Sequence, residues 1–206
     1  LMIVVFIAAI NQLGIETTSI IAVLGAAGLA IGLALQGSLS NFAAGILIVI
    51  YRPYKVGDYI QADSHLGTVL DIQIFSTVLK TPDNKLVIVP NGSIMNGSIV
   101  NFSHQAERRV DIIASCSYDD DIDKVKSVLA DILSNDERIL SEPKPRIALS
   151  ELADSSVNFI VRPWVKNADY LDVYYSLLEE IKKRFDQEGI SIPYPQSDVH
   201  IHNHSE

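Results

Sequence analysis

Ala22-Val23-Leu24-Gly25-Ala26-Ala27-Gly28-Leu29-Ala30-Ile31-Gly32-Leu33-Ala34-Leu35-Gln36-Gly37 alternates small residues with leucines, inside 35 residues (Thr17–Tyr51) that carry no Asp, Glu, Lys, Arg or His. About 20 apolar residues in a helix already cross a bilayer's hydrocarbon core. The run is too long for one upright span and too rich in small residues for a helix that faces only lipid. It reads as a helix that touches copies of itself.

On a helical wheel with Leu29 at zero and roughly 100° per residue, Leu33 falls near +40° and Gln36 near −20°. Gly25, Gly28 and Gly32 average about −67°, whereas Ala22, Ala26 and Ala30 average about +60°. A glycine groove and an alanine ridge therefore flank the leucine stripe, and small residues let membrane helices approach closely. A ridge on one side and a groove on the other is a heterologous contact, which closes into a ring. Neighbours about 127° apart give a ring of roughly seven helices; an error of about 20° in phase widens this to roughly five to eleven and disfavours a tetramer. Leu29 and Leu33 then project into a central lumen, with Gln36 as a polar ring beneath. Stacked leucine rings can block ions by dewetting. The competing reading is a Gly/Ala-rich helix in a transporter core, with leucines as filler. A nucleotide-binding reading of the glycines is weaker, because no strand precedes them.

The charge is unevenly distributed. Residues 1–51 hold only Glu16, residues 52–105 balance to zero, and residues 106–206 carry a net −8 of the overall −9. With no phosphate-neutralising basic patch, nucleic acid is not an expected partner. One cysteine, Cys116, excludes an intrachain disulfide and a Cys-based metal site. Arg52 and Lys55 directly follow the apolar run, which by the positive-inside bias places everything after it in the cytoplasm. Leu1–Ile10 reads as the end of a helix that starts upstream, so the sequence is expected to be a fragment.

The expected organisation has five parts: 1–14, the end of a preceding transmembrane helix; 15–53, a pore-lining helix with a kink and a following amphipathic helix; 54–105, a β domain; 106–197, an α+β domain; and 198–206, a strand or tail. Thr17-Thr18-Ser19 supplies candidate N-caps, and Gln36-Gly37-Ser38 should loosen the helix because glycine is costly in a helix interior. Val56–Ile60, Thr68–Ile74, Thr77–Lys80 and Leu86–Val89 are strand candidates, with Pro90-Asn91-Gly92 as a turn. Farther on, a β-α-β-β-α-β order is expected: helices begin behind Asp119–Asp121 and Asp169, and Val199–His202 forms a final strand. The predicted fold class is a membrane α-helical pore segment, then a small Sm/SH3-like β-barrel domain, then a ferredoxin-like α+β domain.

Ala22–Gly45, Arg52-Pro53-Tyr54, Val56-Gly57-Asp58, Gly67-Thr68-Val69, Gln73-Ile74-Phe75-Ser76-Thr77, Val89-Pro90-Asn91-Gly92, Asn101-Phe102-Ser103 and Gly189–Gln196 together resemble the small-conductance mechanosensitive channel family of bacteria. The resemblance implies a homoheptamer in the bacterial inner membrane, multi-pass, with a cytoplasmic vestibule perforated by side portals. It implies that Leu29 and Leu33 are the gate and that Gly37 is the kink. It further implies that Asn41 and Gly92 meet on inactivation, and that Gly45 is an alternative hinge. The expected activity is a mechanosensitive, weakly selective release of ions and osmolytes, opened by membrane tension in hypo-osmotic shock. Expected partners are copies of itself, membrane lipids and the permeating solutes. Two alternatives have the same sequence signature: a channel of this architecture gated by a ligand, and a membrane-anchored oligomeric binding module that does not conduct.

Other residues weigh less. His200, His202 and His204 would share one face of a strand and could ring a narrow bottom barrel, where they would charge near a pKa of about 6.5; a solvated tail is the plainer reading. The acids of the α+β domain read as a solvated surface, and would enrich cations if they faced a vestibule. Asp119–Asp121 and Asp123 lack EF-hand spacing. No paired-carboxylate, Ser/His/Asp or Cys/His constellation stands out, so neither an enzyme nor a cofactor or metal site is expected.

Overall fold

The computed structural model describes residues 2–13 and 16–200, and the chain divides into two compact units, Leu1–His104 and Gln105–Glu206. In the first unit α1 (Met2–Gln12) precedes α2 (Thr18–Tyr51), which is one helix of 34 residues. The loosening expected at Gln36-Gly37-Ser38, with a separate helix after it, is absent. One glycine costs about 1 kcal/mol relative to alanine, too little to break a helix flanked by Leu33, Leu35 and Leu39. Asn41 also donates its side-chain amide to the Gly37 carbonyl, at 3.0 Å. Thr17 is the N-cap residue but makes no side-chain cap bond.

After α2 come β1 (Tyr59–Ala62), β2 (His65–Ile72), β3 (Ser76–Lys80), β4 (Leu86–Pro90), α3 (Asn91–Asn96) and β5 (Ile99–Asn101). The strands form one antiparallel sheet in the order β4-β3-β2-β1-β5. The first strand begins at Tyr59 instead of Val56, because Gly57, at φ +95°, still belongs to the turn. Asp63 and Ser64, both at positive φ, make the two-residue β1–β2 connection, whose handedness matches the twist of the strands. Pro90-Asn91-Gly92 opens a helix and is not a simple turn. Ile60, Ala62, Val69, Leu79 and Val89 from the strands meet Ile94 of α3, Tyr54 and, from α2, Ile48 in one core.

The second unit contains β6 (Glu107–Arg109), β7 (Ile112–Cys116), α4 (Ile122–Ser134), β8 (Arg146–Leu152), β9 (Val157–Arg162), β10 (Trp164–Lys166) and α5 (Tyr170–Glu188). An antiparallel sheet, β7-β9-β8, lies beside a two-stranded ribbon, β10-β6. Period-two burial along β7 and β9 presents Ala114, Cys116, Phe159 and Val161 to Leu129, Leu177 and Phe185 of the helices, each large side chain contributing about 1.5–3 kcal/mol on burial. Asp121 caps α4 by accepting from the Asp123 and Lys124 amides. Asp120 accepts from the Ser117 and Ser191 amides, so these acids are local braces. Gly189, at φ +68°, ends α5 with its N–H on the Phe185 and Asp186 carbonyls.

Among the described residues no strand follows α5, and the expected strand Val199–His202 lies partly outside them. Beside β7, Ser117 donates to the Ser191 carbonyl at 2.9 Å, but Pro193 and Pro195 have no N–H to continue a ladder. Val199 and His200 are exposed and in no strand. His202 and His204 lie outside the described residues.

Cys116 is fully buried, and burial first, with Asp120 second, pushes its thiol up to about 11 from 9.0. The folded state therefore holds the protonated thiol more tightly than the unfolded state does. That stability is complete below about pH 9 and is lost as the pH rises from about 9 to 11. The urea midpoint, followed by Trp164 fluorescence, should fall more steeply over that range in the native protein than in Cys116→Ala; equal slopes would show the thiol to be uncoupled from folding.

Candidate functional site: one helix with an uncovered half and a docked half

The upper part of α2 is uncovered. Ala22, Gly25, Ala26, Gly28, Ala30, Gly32, Gln36 and Gly37 are all exposed, and Leu29 and Leu33 are 66% and 62% exposed. A Cβ added at Gly25, Gly28, Gly32 or Gly37 would meet nothing within 4 Å. Among the described residues no packing accounts for their small size. By length and composition α2 can cross a membrane.

The lower part is docked. Ala44, Gly45 and Ile48 are buried, and Phe42 lies tilted against Phe75 of the β2–β3 connection, ring centroids 6.3 Å apart. Gly45 is where the helix comes nearest the sheet. A Cβ there would stand 2.5 Å from the Ile74 carbonyl oxygen and 2.7 Å from the Asn91 side-chain nitrogen, distances that side chains do not adopt. Gly45 thus serves here as a close-approach residue, a role its mid-helix position did not reveal.

Beneath it runs a polar chain that sequence reasoning missed. Thr77 and Asn91 are fully buried and Tyr54 nearly so. The Thr77 hydroxyl donates to Asn91 Oδ1 at 2.9 Å. Its single proton is then spent, so the Tyr54 hydroxyl, 2.9 Å away, donates to Thr77 Oγ1. Asn91 Nδ2 donates onward to the Gln73 and Ile74 carbonyls at 3.0 and 3.2 Å. Burial holds the Tyr54 phenol above its ordinary pKa, opposed by the Thr77 bond, so the phenol remains a donor. The pair of carbonyls in the β2–β3 turn is what Asn91 satisfies; a conspicuous Pro90-Asn91-Gly92 was the only sequence signal.

Gly92 adds the link to the helix. Its amide donates to Asn41 Oδ1 at 2.8 Å, and Asn41 Nδ2 donates to the Gly37 carbonyl. Asn41 thus ties the Gly92 amide to the Gly37 carbonyl within one chain. A second brace lies after α2: Asn101 Nδ2 reaches Asp58 Oδ2 at 2.8 Å and the Pro53 carbonyl at 3.1 Å. Nearly every motif quoted above from the first unit falls on these two junctions.

The three segments match three domain profiles: "Mechanosensitive ion channel, transmembrane helices 2/3" over residues 1–36, "Mechanosensitive ion channel, beta-domain" over 37–104, and "Mechanosensitive ion channel MscS, C-terminal" over 110–192. The small-conductance mechanosensitive channel of Edwardsiella ictaluri is 53% identical over 96% of this chain and 74% of that protein. This chain belongs to the MscS family of mechanosensitive ion channels. An uncharacterised MscS family protein of Buchnera aphidicola is 52% identical, and the match spans 65% of that protein's length. The chain thus covers about two thirds of the curated relatives it matches. The crystal structure of Helicobacter pylori MscS in a closed state superposes with a TM-score of 0.90 at 36% identity, over 98% of this chain and 80% of that one. An MscS-family helix, β domain and α+β domain in that order were the expected fold class, and they are what the chain has.

Thr77→Val leaves the Tyr54 hydroxyl and Asn91 Oδ1 without their partner and should cost about 1–3 kcal/mol. Gly45→Ala should cost a similar amount, about 1–3 kcal/mol, through overpacking against the Ile74 carbonyl. Urea unfolding of the reconstituted protein reads both, and unchanged midpoints would show that the junction relaxes around the substitutions.

Proposed function

We propose that this protein is a tension-gated, weakly selective channel for ions and small osmolytes, opened during hypo-osmotic shock. The single observation that carries the reading is the uncovered half of α2, where Gly and Ala faces flank Leu29 and Leu33 and none of the described residues covers them. About seven copies would clasp glycine groove to alanine ridge through Ala22, Gly25, Ala26, Gly28, Ala30 and Gly32. The MscS-family membership and its bacterial relatives support a homoheptamer in the inner membrane, with both globular units cytoplasmic. The family's channel function supports a non-enzymatic role.

In this reading Leu29 and Leu33 form two apolar rings that dewet the closed lumen, and Gln36 forms the polar ring beneath. Tension favours whichever state has the larger in-plane area. The upper helix leans outward while its lower half stays with the β domain, so bending falls where resistance is least. Gly37 stands directly above the Asn41–Gly92 bond and suits that role. Releasing that bond, and with it the contact at Gly45, frees the lower half to follow. Inactivation then corresponds to keeping the lower half docked while the upper half is closed.

Leu29→Ser and Leu33→Ser should each produce leaky channels that open at lower suction in patch recordings of the full-length protein. Normal thresholds in both would refute the assigned gate. A protein that passes no current under suction would refute the channel reading, and one that ignores suction but opens to a solute would refute gating by tension.

A further inference from the structure

Asn91 gathers three consecutive carbonyls of the β2–β3 connection. Its backbone amide donates to the Phe75 carbonyl at 3.0 Å, and its Nδ2 to those of Gln73 and Ile74. These are the residues on which α2 sits: the Ile74 carbonyl faces Gly45, and the Phe75 ring lies against Phe42. Asn91 Nδ2 itself faces Gly45, 2.7 Å from where a Cβ would stand. The next amide in the chain, that of Gly92, takes Asn41. The contacts at Asn41, Phe42 and Gly45 therefore all meet groups that Asn91 holds or adjoins.

Thr77 is what aims the Asn91 side chain. A carboxamide is a planar fork, acceptor on one side and donors on the other, and the Thr77 hydroxyl pins the acceptor Oδ1 at 2.9 Å. With Oδ1 pinned, Nδ2 is directed at the two carbonyls. With Oδ1 free the fork can pivot, and a pivot toward α2 pushes Gly45 off its seat. The single Thr77 proton goes to Asn91 because the Tyr54 hydroxyl donates to the same Oγ1. Tyr54 lies just beyond Tyr51, the last residue of α2, so the chain of bonds starts at the end of the helix and returns to its middle. A fully buried hydroxyl costs free energy that an isosteric valine would not, which points to a use for this one.

We propose that Thr77 is a positioning residue for gating: by fixing the plane of the Asn91 carboxamide, it sets how long the lower half of α2 stays docked. Tyr54 carries movement at the end of the helix back to that seat. The docking role stands on the geometry alone, and its effect on current rests on the channel reading above.

Hydrogen exchange of the full-length protein, read by mass spectrometry over residues 40–50 and 91–96, reports docking without any current. Thr77→Val should speed exchange there about ten-fold relative to β1, and Tyr54→Phe should speed it by less. Thr77→Ser keeps the hydroxyl and should exchange like the native protein. Val69→Ala loosens the same core without touching the chain of bonds, and sets the level that a general loss of stability produces. In patch recordings under sustained suction, the current should decay about ten-fold more slowly in Thr77→Val and at the native rate in Thr77→Ser. Unchanged exchange in Thr77→Val, an equal rise in Val69→Ala, or no rescue by Thr77→Ser would each overturn the proposal. Faster exchange with an unaltered current decay refutes the effect on gating. Absence of current under suction sinks the channel reading, and the exchange rates still decide the docking role.

Discussion

The close approach of α2 to its own β domain is the constraint on which the rest of the structure depends. A helix can lie this near a carbonyl only where it carries no Cβ, and Gly45 provides that position against Ile74. Once backbone meets backbone there, Phe42 reaches Phe75, Ile48 enters the core, and Asn41 reaches the Gly92 amide. The same contact buries the Tyr54–Thr77–Asn91 chain, which is affordable only because each polar group in it has a partner. Removing one link leaves the others unsatisfied in a dry interior.

This docking divides a single continuous helix into two physical regimes. Below Asn41 one face of it, with Ala44, Gly45 and Ile48, is committed to protein. Above Gly37 its side chains are committed to nothing among the described residues, and leucines remain exposed that a water-soluble protein would cover. The same residue type, glycine, does opposite things in the two regimes: Gly45 fills a contact already made, and Gly25, Gly28 and Gly32 leave room for one not yet present. A boundary of this kind is where a mechanical load on the upper half would be resisted.

Much of this was legible in the residues. The uncharged run, the alternation along β7 and β9, the Asp121 cap and the Gly189 stop each rest on local periodicity or a single backbone preference, so they read directly. The misreadings share one cause. Gly37 was expected to interrupt a helix, yet a local propensity of about 1 kcal/mol yields to the leucines on either side and to the Asn41 bond. Pro90-Asn91-Gly92 was expected to be a turn, but Asn91 is held in a helix start by carbonyls 17 and 18 residues away.

The sequence by itself determined that a membrane-length apolar helix, faced with small residues, precedes two globular units of β and α+β character. Composition and period carry that information within a dozen residues. Only the tertiary structure decided which glycine touches backbone, which way the protons run from Tyr54 to Thr77 to Asn91, and where on α2 protein packing stops. Those are properties of groups far apart in the chain, such as Asn41 and Gly92 at a separation of 51 residues. No local pattern encodes a distance between two such atoms, and that distance exists only once both elements have folded against each other.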